Sequence, residues 1–289
     1  MAQITTATDG SYLLADGDHT VTVYPERGGI ITQVDLAGVP QFYLDTERFR
    51  DPSLSVRGGI PILFPICGNL PENRYELDGQ TYTLPQHGFG RTSPWQVVDL
   101  TTDAGAALTL ELKDSEATRA VYPFSFSLRL RYHWQNCRLT ISSELTNTSD
   151  SLRPAFGHRD LPYSLGYHPY FAAADKTRLQ FDLPSQHYYD RARDLNDSTI
   201  WPWDVPEIDA ALARLEQPLQ ASVTDGSNQL RFEASADFRR LVFWTVNEKP
   251  FYCLEPWTSP RNAINTGEDL IRVAPGTTHS TWFALTWTV

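Results

Sequence analysis

The sequence predicts an all-β fold in which large antiparallel sheets are stacked face to face as a sandwich. Apolar residues alternate with polar ones in several segments, which places the apolar side chains on one face of a strand. The longest such series is Phe124, Phe126, Leu128, Leu130, Tyr132 and Trp134. Helical periodicity is nearly absent, and the chain has neither βαβ alternation nor a fixed-period repeat. These absences disfavour doubly wound folds, propellers and solenoids.

Shorter alternating segments extend the strand prediction along the chain. They comprise Val21 and Val23, then Leu108, Leu110 and Leu112, and finally Phe283, Leu285 and Trp287. Two tight hairpin turns are predicted at Asp78-Gly79, within 75–84, and at Asp225-Gly226, because these residues tolerate positive φ. The one helical candidate is 206–216, where Ile208, Leu212 and Leu215 recur at helical spacing after a proline near the helix start.

Domain organisation follows from the even composition of the chain. No composition shift and no Gly/Ser-rich linker divides the 289 residues, so we expect one domain spanning 1–289. The polar segments 150–162 and 190–206 are expected to be long connections within that domain. Long loops of a β-protein are where function tends to lie.

Charge and cysteine content narrow the classes of partner. The formal net charge is −11 and no basic stretch occurs, which argues against nucleic acid but is compatible with a small phosphorylated ligand. Three cysteines without a CxxC pair argue against a disulfide framework and a cysteine-rich zinc site. The chain has no signal-like N-terminus and no stretch of about 18 apolar residues. We therefore expect a soluble, cytoplasmic protein without a membrane partner, as a monomer or a homodimer.

Three short segments place an ionisable side chain among glycine, proline and aromatic residues. They are Gln86-His87-Gly88-Phe89-Gly90-Arg91, Gly166-Tyr167-His168-Pro169-Tyr170-Phe171 and Cys253-Leu254-Glu255-Pro256-Trp257. Glu255 follows the strand-like segment 251–254, which predicts a carboxylate at a strand end beside the aromatic wall of Trp257. Partial burial there would raise the pKa of the carboxyl group and suit it to proton transfer. Taken singly, a histidine beside aromatic residues is more often structural than functional.

Together these segments resemble the aldose 1-epimerase superfamily, and within it the hexose-6-phosphate mutarotase and related bacterial branches. The resemblance runs through most of the chain and is densest at 55–68, Ser-Val-Arg-Gly-Gly-Ile-Pro-Ile-Leu-Phe-Pro-Ile-Cys-Gly, and at 84–91. His168 and Glu255 follow in the family's order. The resemblance implies a galactose mutarotase-like supersandwich that interconverts the α and β anomers of an aldose or aldose 6-phosphate.

The resemblance also implies the roles of the ionisable residues. Glu255 would take the proton from the C1 hydroxyl as general base, and His168 would protonate the ring oxygen as general acid. The ring then opens, the bond between C1 and C2 rotates, and reclosure gives the other anomer. His87 would hydrogen-bond the ring-oxygen side of the sugar. One acid and one base suffice, each contributing roughly 10²- to 10⁴-fold, so no cofactor and no metal are expected.

Further positions match the part of the family's site that holds the sugar or its phosphate. They are Arg57, Gln86 and Arg91. Of the eight tryptophans, Trp257 next to Glu255 is the one predicted to offer a surface for sugar stacking. The family's substrate-orienting aspartate matches either Asp204 or Asp209. Arg74 resembles part of an Asn-Arg pair of the galactose branch, or it simply starts a strand. His158 is close enough in sequence to His168 to be a further candidate for the cleft, although the segment also suits a structural loop.

Three other functions are compatible with the sequence. The first is a non-catalytic carbohydrate-binding or regulatory protein on the same fold. The second is a metal-dependent β-barrel enzyme in which His87, His168 and Glu255 are the ligands. The third is a glycoside hydrolase, which needs two carboxylates flanking the scissile bond, and the sequence suggests no partner for Glu255.

Overall fold

A computed structural model describes residues 1–149, 159–185, 187–190, 201–213 and 215–288. His158 and much of the two predicted connections lie outside the described residues. Where it is described, the chain is built mainly of antiparallel strands, which confirms the all-β prediction. None of the described helices is long and apolar enough to cross a membrane. All three cysteines are described and none forms a disulfide bond.

The strands, in chain order, are Ala2–Thr6 (β1), Tyr12–Asp16 (β2), His19–Tyr24 (β3), Ile30–Leu36 (β4), Val39–Pro40 (β5), Ile62–Leu63 (β6), Arg74–Leu77 (β7), Gln80–Thr83 (β8), Gln96–Thr101 (β9), Ala106–Lys113 (β10), Phe126–Gln135 (β11), Arg138–Asn147 (β12), Leu161–Tyr163 (β13), Gly166–Tyr167 (β14), Tyr170–Ala172 (β15), Gln180–Asp182 (β16), His187–Asp190 (β17), Glu207–Ala213 (β18), Gln220–Asp225 (β19), Asn228–Ala234 (β20), Arg240–Val246 (β21), Phe251–Trp257 (β22), Ile271–Val273 (β23) and Thr278–Thr288 (β24). The α-helices are Thr46–Arg50 (α1), Glu116–Val121 (α2) and Ala263–Thr266 (α3), and 3-10 turns occupy Pro25–Arg27, Pro71–Asn73, Gly90–Thr92 and Lys176–Arg178.

Two large sheets form the sandwich. One has eight strands in the order β16-β19-β20-β24-β12-β11-β10-β9, and the other has the order β17-β18-β21-β22-β14-β6 with β15 also paired to β22. Aromatic side chains join the facing layers: Phe171 contacts Phe232 with ring centroids 5.2 Å apart, and Tyr167 stacks on Phe283 at 5.4 Å. Fully burying such a side chain contributes about 1.5 to 3 kcal/mol, so the shared core holds the layers together.

The alternating series found in the sequence line this core. The apolar residues of β11 from Phe126 to Trp134 are almost fully buried, and the predicted residues of β10 and β24 are buried with them. Strand β11 begins at Phe126, and Phe124 is buried just before it. A third sheet, β1 to β5 in sequential order, packs through β1 and β2 on β10 and β11 and buries Val21 and Val23.

Both predicted hairpins are present. Leu77 pairs with Gln80 across the Asp78-Gly79 turn, whose residues have φ values of 51° and 76°. Asp225 pairs with Asn228, so the second turn is Gly226-Ser227, one residue later than predicted.

The predicted helix at 206–216 is wrong, because residues 207–213 form strand β18. Ile208, Ala210 and Leu212 point into the core, each at most 2% exposed, and β18 pairs with β21 and β17. The apolar residues at 208 and 212 fit both a helical spacing and a spacing of two. Because residue 210 between them is a small alanine, the alternation typical of a strand was not recognised in the sequence. The neighbouring strands decide in favour of the strand.

Candidate active site

A cavity of about 390 Å³ lies on the face of the seven-stranded sheet that is turned away from the eight-stranded sheet. It is lined by Arg48, Ser55, Val56, Arg57, Gln86, His87, Arg91, His168, Tyr170, Glu207, Asp209, Trp244, Glu255, Trp257 and Arg261. All seven site residues predicted from the sequence are among them. The cavity therefore brings together Arg57 and the three segments around His87, His168 and Glu255, which are far apart along the chain.

Strand alternation in β22 aims Glu255 into the cavity. Tyr252 and Leu254 belong to the core between the large sheets, so Cys253, Glu255 and Trp257 point to the opposite face. The prediction that Glu255 lies at a strand end is wrong, because β22 continues through Pro256 to Trp257. On one side β22 pairs continuously with β21, whereas on the other it pairs with β15 and β14 and leaves a gap opposite 254–256. A proline is tolerated there because no partner strand needs its missing N–H.

The gap beside β22 is filled by His168, which lies between β14 and β15. Its backbone N–H donates to the Pro61 carbonyl at 3.0 Å, and its ring stacks on Tyr170 with centroids 4.7 Å apart and an interplanar angle of 11°. Trp244 contacts the same ring edge-on at 5.7 Å. These contacts fix the orientation of an imidazole that is 8% exposed.

His168 and Glu255 are in direct contact. Nε2 of His168 lies 3.3 Å from Oε1 of Glu255, and the Trp257 indole N–H donates to Oε2 at 3.1 Å. Burial raises the pKa of Glu255 well above 4.5 and lowers the pKa of His168 to about 3. Because burial disfavours both charged forms, the pair keeps one proton between its two members over a wide pH range. An acid and a base are thereby poised at one point of the cavity.

His87 is fixed as a hydrogen-bond donor. The N–H of Gly68 donates to its Nδ1 at 3.0 Å, so the hydrogen of the neutral ring is on Nε2. Burial lowers the pKa of His87 well below 6.5, with His168 as the next cause, which keeps the ring neutral. The His87 ring lies 5.7 Å from the rings of His168 and Trp257. A neutral imidazole with this tautomer donates to an oxygen and does not take a proton at Nδ1.

The wall beside Glu255 is formed by Trp257. Gly166 pairs with Trp257, and a Cβ added at Gly166 would lie 2.8 Å from the Trp257 ring and from the Cys67 thiol. The guanidinium of Arg261 lies over the indole at 5.1 Å and donates to both carboxylate oxygens of Asp209, at 2.8 and 3.0 Å. The side chains of Asp209, Arg261, Trp257 and Glu255 thus form one connected series.

The three other predicted binding residues lie at the cavity wall and mouth. Arg91 donates to the Gln86 carbonyl at 2.9 Å, and burial lowers the pKa of its guanidinium. Its buried Nε has no hydrogen-bond partner among the described residues. Gln86 and Arg57 are exposed, with their side chains on the lining.

The structure distinguishes between Asp204 and Asp209, the two candidates for the substrate-orienting aspartate. Asp209 on β18 lines the cavity, whereas Asp204 is exposed and is not on its lining. Arg74 starts β7 and forms an exposed ion pair with Glu72, away from the lining. Sequence reasoning missed Arg261, although it follows Glu255 by only six residues, because nothing local marks an arginine that pairs with an aspartate on another strand.

Two rival interpretations gain or lose specific support. The cavity holds the further carboxylates Glu207 and Asp209, so the absence of a partner for Glu255 no longer counts against a hydrolase. The residues within ligand distance of one another are His168, Glu255 and Cys253, and His87 is not one of this group among the described residues. The metal ligands inferred from the sequence were His87, His168 and Glu255. In the structure Cys253, and not His87, lies close enough to the other two to share an ion with them.

Comparison with known proteins gives consistent matches. The profile of the family described as "Aldose 1-epimerase" matches residues 10–286. The solved structure of the Slr1438 protein from Synechocystis sp. PCC 6803 is 38% identical, with a TM-score of 0.90 over 96% of this chain and 95% of that one. A galactose mutarotase related enzyme from Lactobacillus acidophilus shares the fold, at 21% identity, a TM-score of 0.77 and coverage of 96% and 97%. An Escherichia coli K12 protein provisionally named glucose-6-phosphate 1-epimerase is 25% identical over 51% of this chain and only 43% of its own length.

Proposed function

The chain belongs to the aldose 1-epimerase family, and from this premise we propose that it interconverts the α and β anomers of an aldose or an aldose 6-phosphate. The single observation that carries the proposal is the buried contact of His168 with Glu255, 3.3 Å apart on the wall of the cavity. Anomerisation needs one group that removes a proton and one that supplies it, and the pair has both.

The proposed reaction begins when the sugar separates the pair. The C1 hydroxyl donates to Glu255, and the ring oxygen accepts from His168. These contacts favour the form of the pair in which the carboxylate is ionised and the imidazole carries the proton. The proton of the C1 hydroxyl then passes to Glu255 while His168 protonates the ring oxygen, and the bond between C1 and the ring oxygen breaks. The open aldehyde has the same atoms as the ring, so no further reactant is required.

Supporting residues would hold the sugar during ring opening. The Nε2–H of His87 is suited to donate to the ring-oxygen side, because its Nδ1 already accepts from Gly68. The carboxylate of Asp209, which accepts from Arg261, can also accept from a sugar hydroxyl. After rotation about the C1–C2 bond, reclosure on the other face of the aldehyde with the roles reversed gives the other anomer. The exposed Arg57 and the partly buried Arg91 would bind a phosphate on C6 where the substrate has one.

The test is the anomerisation rate of freshly dissolved α-glucose, α-galactose and glucose 6-phosphate, measured by polarimetry or NMR saturation exchange. We expect acceleration by the wild type and a loss of roughly 10²-fold or more in Glu255→Gln and in His168→Asn. Glu144→Gln, an exposed glutamate on the outer face of β12, is the matched control and should keep the wild-type rate. The sugar with the largest kcat/KM identifies the substrate class.

Other outcomes would favour the rival functions. Sugar binding by calorimetry without acceleration of any sugar would overturn the proposal and leave a carbohydrate-binding protein. Release of reducing sugar from nitrophenyl glycosides that depends on Glu255 would instead indicate a hydrolase.

A further inference from the structure

A thiol lies beside the acid-base pair. Cys253 is two residues before Glu255 on β22 and points to the same face of the sheet. A ring nitrogen of His168, the Sγ of Cys253 and a carboxylate oxygen of Glu255 all lie within 4.8 Å of one another, and all three residues are buried. The proposed anomerisation uses the imidazole and the carboxyl group and leaves the thiol without a role.

The three atoms have the chemistry of a site for a zinc-like cation. Nitrogen, sulfur and oxygen donors suit a soft or borderline divalent metal, whereas magnesium and calcium prefer shells of six or more oxygens. Bonds of about 2.0 to 2.3 Å to zinc place tetrahedral ligands roughly 3.3 to 3.7 Å apart. The contact between His168 and Glu255 is already 3.3 Å. The Sγ of Cys253 would have to move by about 1 Å towards the other two atoms for all three to bind one zinc ion.

The charge of the three ligands and their position beside the cavity also suit a divalent cation. A thiolate, a carboxylate and a neutral imidazole around a divalent ion have zero net charge, which suits a buried site far better than a charged complex. His168 and Glu255 line the cavity, so the fourth position of the ion faces the space that the sugar would occupy. This is the geometry of a site with three protein ligands and one open position.

We propose that His168, Cys253 and Glu255 bind one zinc-class divalent cation, and that the bound ion blocks the acid-base pair. Binding removes one proton from the Cys253 thiol and one from the His168–Glu255 pair, so two protons pass to water for each ion and nothing is oxidised or reduced. The inhibition rests on the function proposed above, whereas the binding does not. The ion is an inhibitor of this site, since anomerisation needs the same imidazole and carboxylate free.

The test is titration of the metal-free protein with zinc chloride by calorimetry, and with cobalt(II) followed by thiolate-to-metal charge-transfer absorption. We expect one ion per chain, a dissociation constant at least tenfold weaker in Cys253→Ser, and a charge-transfer band that this variant lacks. Cys67→Ser is the matched control, because Cys67 is equally buried near Trp257 but outside the set of three ligands. It should bind as the wild type does.

Three results would overturn the proposal: no binding of zinc to the folded wild type, equal affinity in Cys253→Ser, or magnesium binding as tightly as zinc. Circular dichroism of both variants establishes that they are folded. Where a sugar is anomerised, zinc should slow the wild type and Cys67→Ser, excess EDTA should restore the rate, and Cys253→Ser should need at least tenfold more zinc. If no sugar is anomerised, the function proposal fails, and the titration alone still decides the metal site.

Discussion

Burial shifts the pKa values of the two residues of the acid-base pair in opposite directions. Burial makes the carboxyl group of Glu255 harder to ionise and the imidazole of His168 harder to protonate. The sequence could indicate that both residues matter, because each lies in a distinctive segment. It could not indicate that they touch, since the contact depends on a gap between β15 and β14.

The burial of Glu255 has a cost in stability that depends on pH. Its pKa is raised above 4.5, so the folded protein retains a proton that the unfolded chain releases, and stability falls as pH rises from 4.5 through the raised pKa. Glu255→Gln removes this loss and should raise the free energy of unfolding at pH 7, with the difference shrinking towards pH 4. Urea unfolding across this pH range measures it. A variant no more stable than the wild type at pH 7 would contradict the prediction, and Glu144→Gln should change little.

A second prediction at this scale concerns the tautomer of His87. Nitrogen-15 NMR should find a neutral ring with its hydrogen on Nε2 from pH 5 to pH 8, because Gly68 occupies Nδ1 and burial lowers the pKa. Removing the donor in His87→Leu should lower kcat/KM for the best sugar by roughly 10²-fold. His87→Gln, which can still donate, should lose less. A ring that titrates near 6.5 would argue against this assignment.

At the scale of elements, strands of the seven-stranded sheet position the side chains that line the cavity. Strands β18, β21 and β22 each turn one set of side chains to the core and the alternate set to the cavity. In β18 this gives Asp209, in β21 Trp244 and in β22 Glu255. The wrong helix prediction at 206–216 explains why sequence analysis missed part of the site. In strand β18 the side chains of Glu207 and Asp209 lie on the same face, beside β21, whereas two residues at this spacing in a helix would point in different directions.

The close pairing of β14 with β22 gives a prediction at the same scale. An alanine at Gly166 would press on Trp257 and Cys67, so Gly166→Ala should cost about 1 to 3 kcal/mol of stability. It should also lower kcat/KM, because Trp257 holds Glu255. Gly226→Ala, in the β19–β20 turn, should lose stability through its positive φ but keep wild-type kinetics. Thermal unfolding and polarimetry on both variants separate the two effects, and an active Gly166→Ala protein would show that the packing does not support the site.

For the whole molecule, we propose that residues 1–289 fold as one domain. In support, the same buried cluster contains Leu14 from the five-stranded sheet, Leu130 from the eight-stranded sheet and Leu254 from the seven-stranded sheet. Sheets that share a core cannot lose one layer without exposing the others. The three sheets should therefore unfold together.

Scanning calorimetry tests this proposal. We expect one transition whose calorimetric and van't Hoff enthalpies agree, and which rises in temperature when a bound sugar is added. Two separable transitions, or a fragment such as 1–149 that folds cooperatively when expressed alone, would show independent domains.

Alternation, turn residues and motif segments are local properties of the chain, and they were enough to predict the fold class, the presence of both hairpins and seven residues of the cavity wall. Arg57, Gln86, His87, Arg91, His168, Glu255 and Trp257 could all be named in advance, and all line one cavity. Strand pairing in the folded chain was needed to show that 207–213 is a strand, that Asp209 and not Asp204 faces the cavity, and that Arg261 and Cys253 approach the acid-base pair. Those facts depend on which strands pair and which faces they turn outward, and such pairings join residues that are far apart in the sequence.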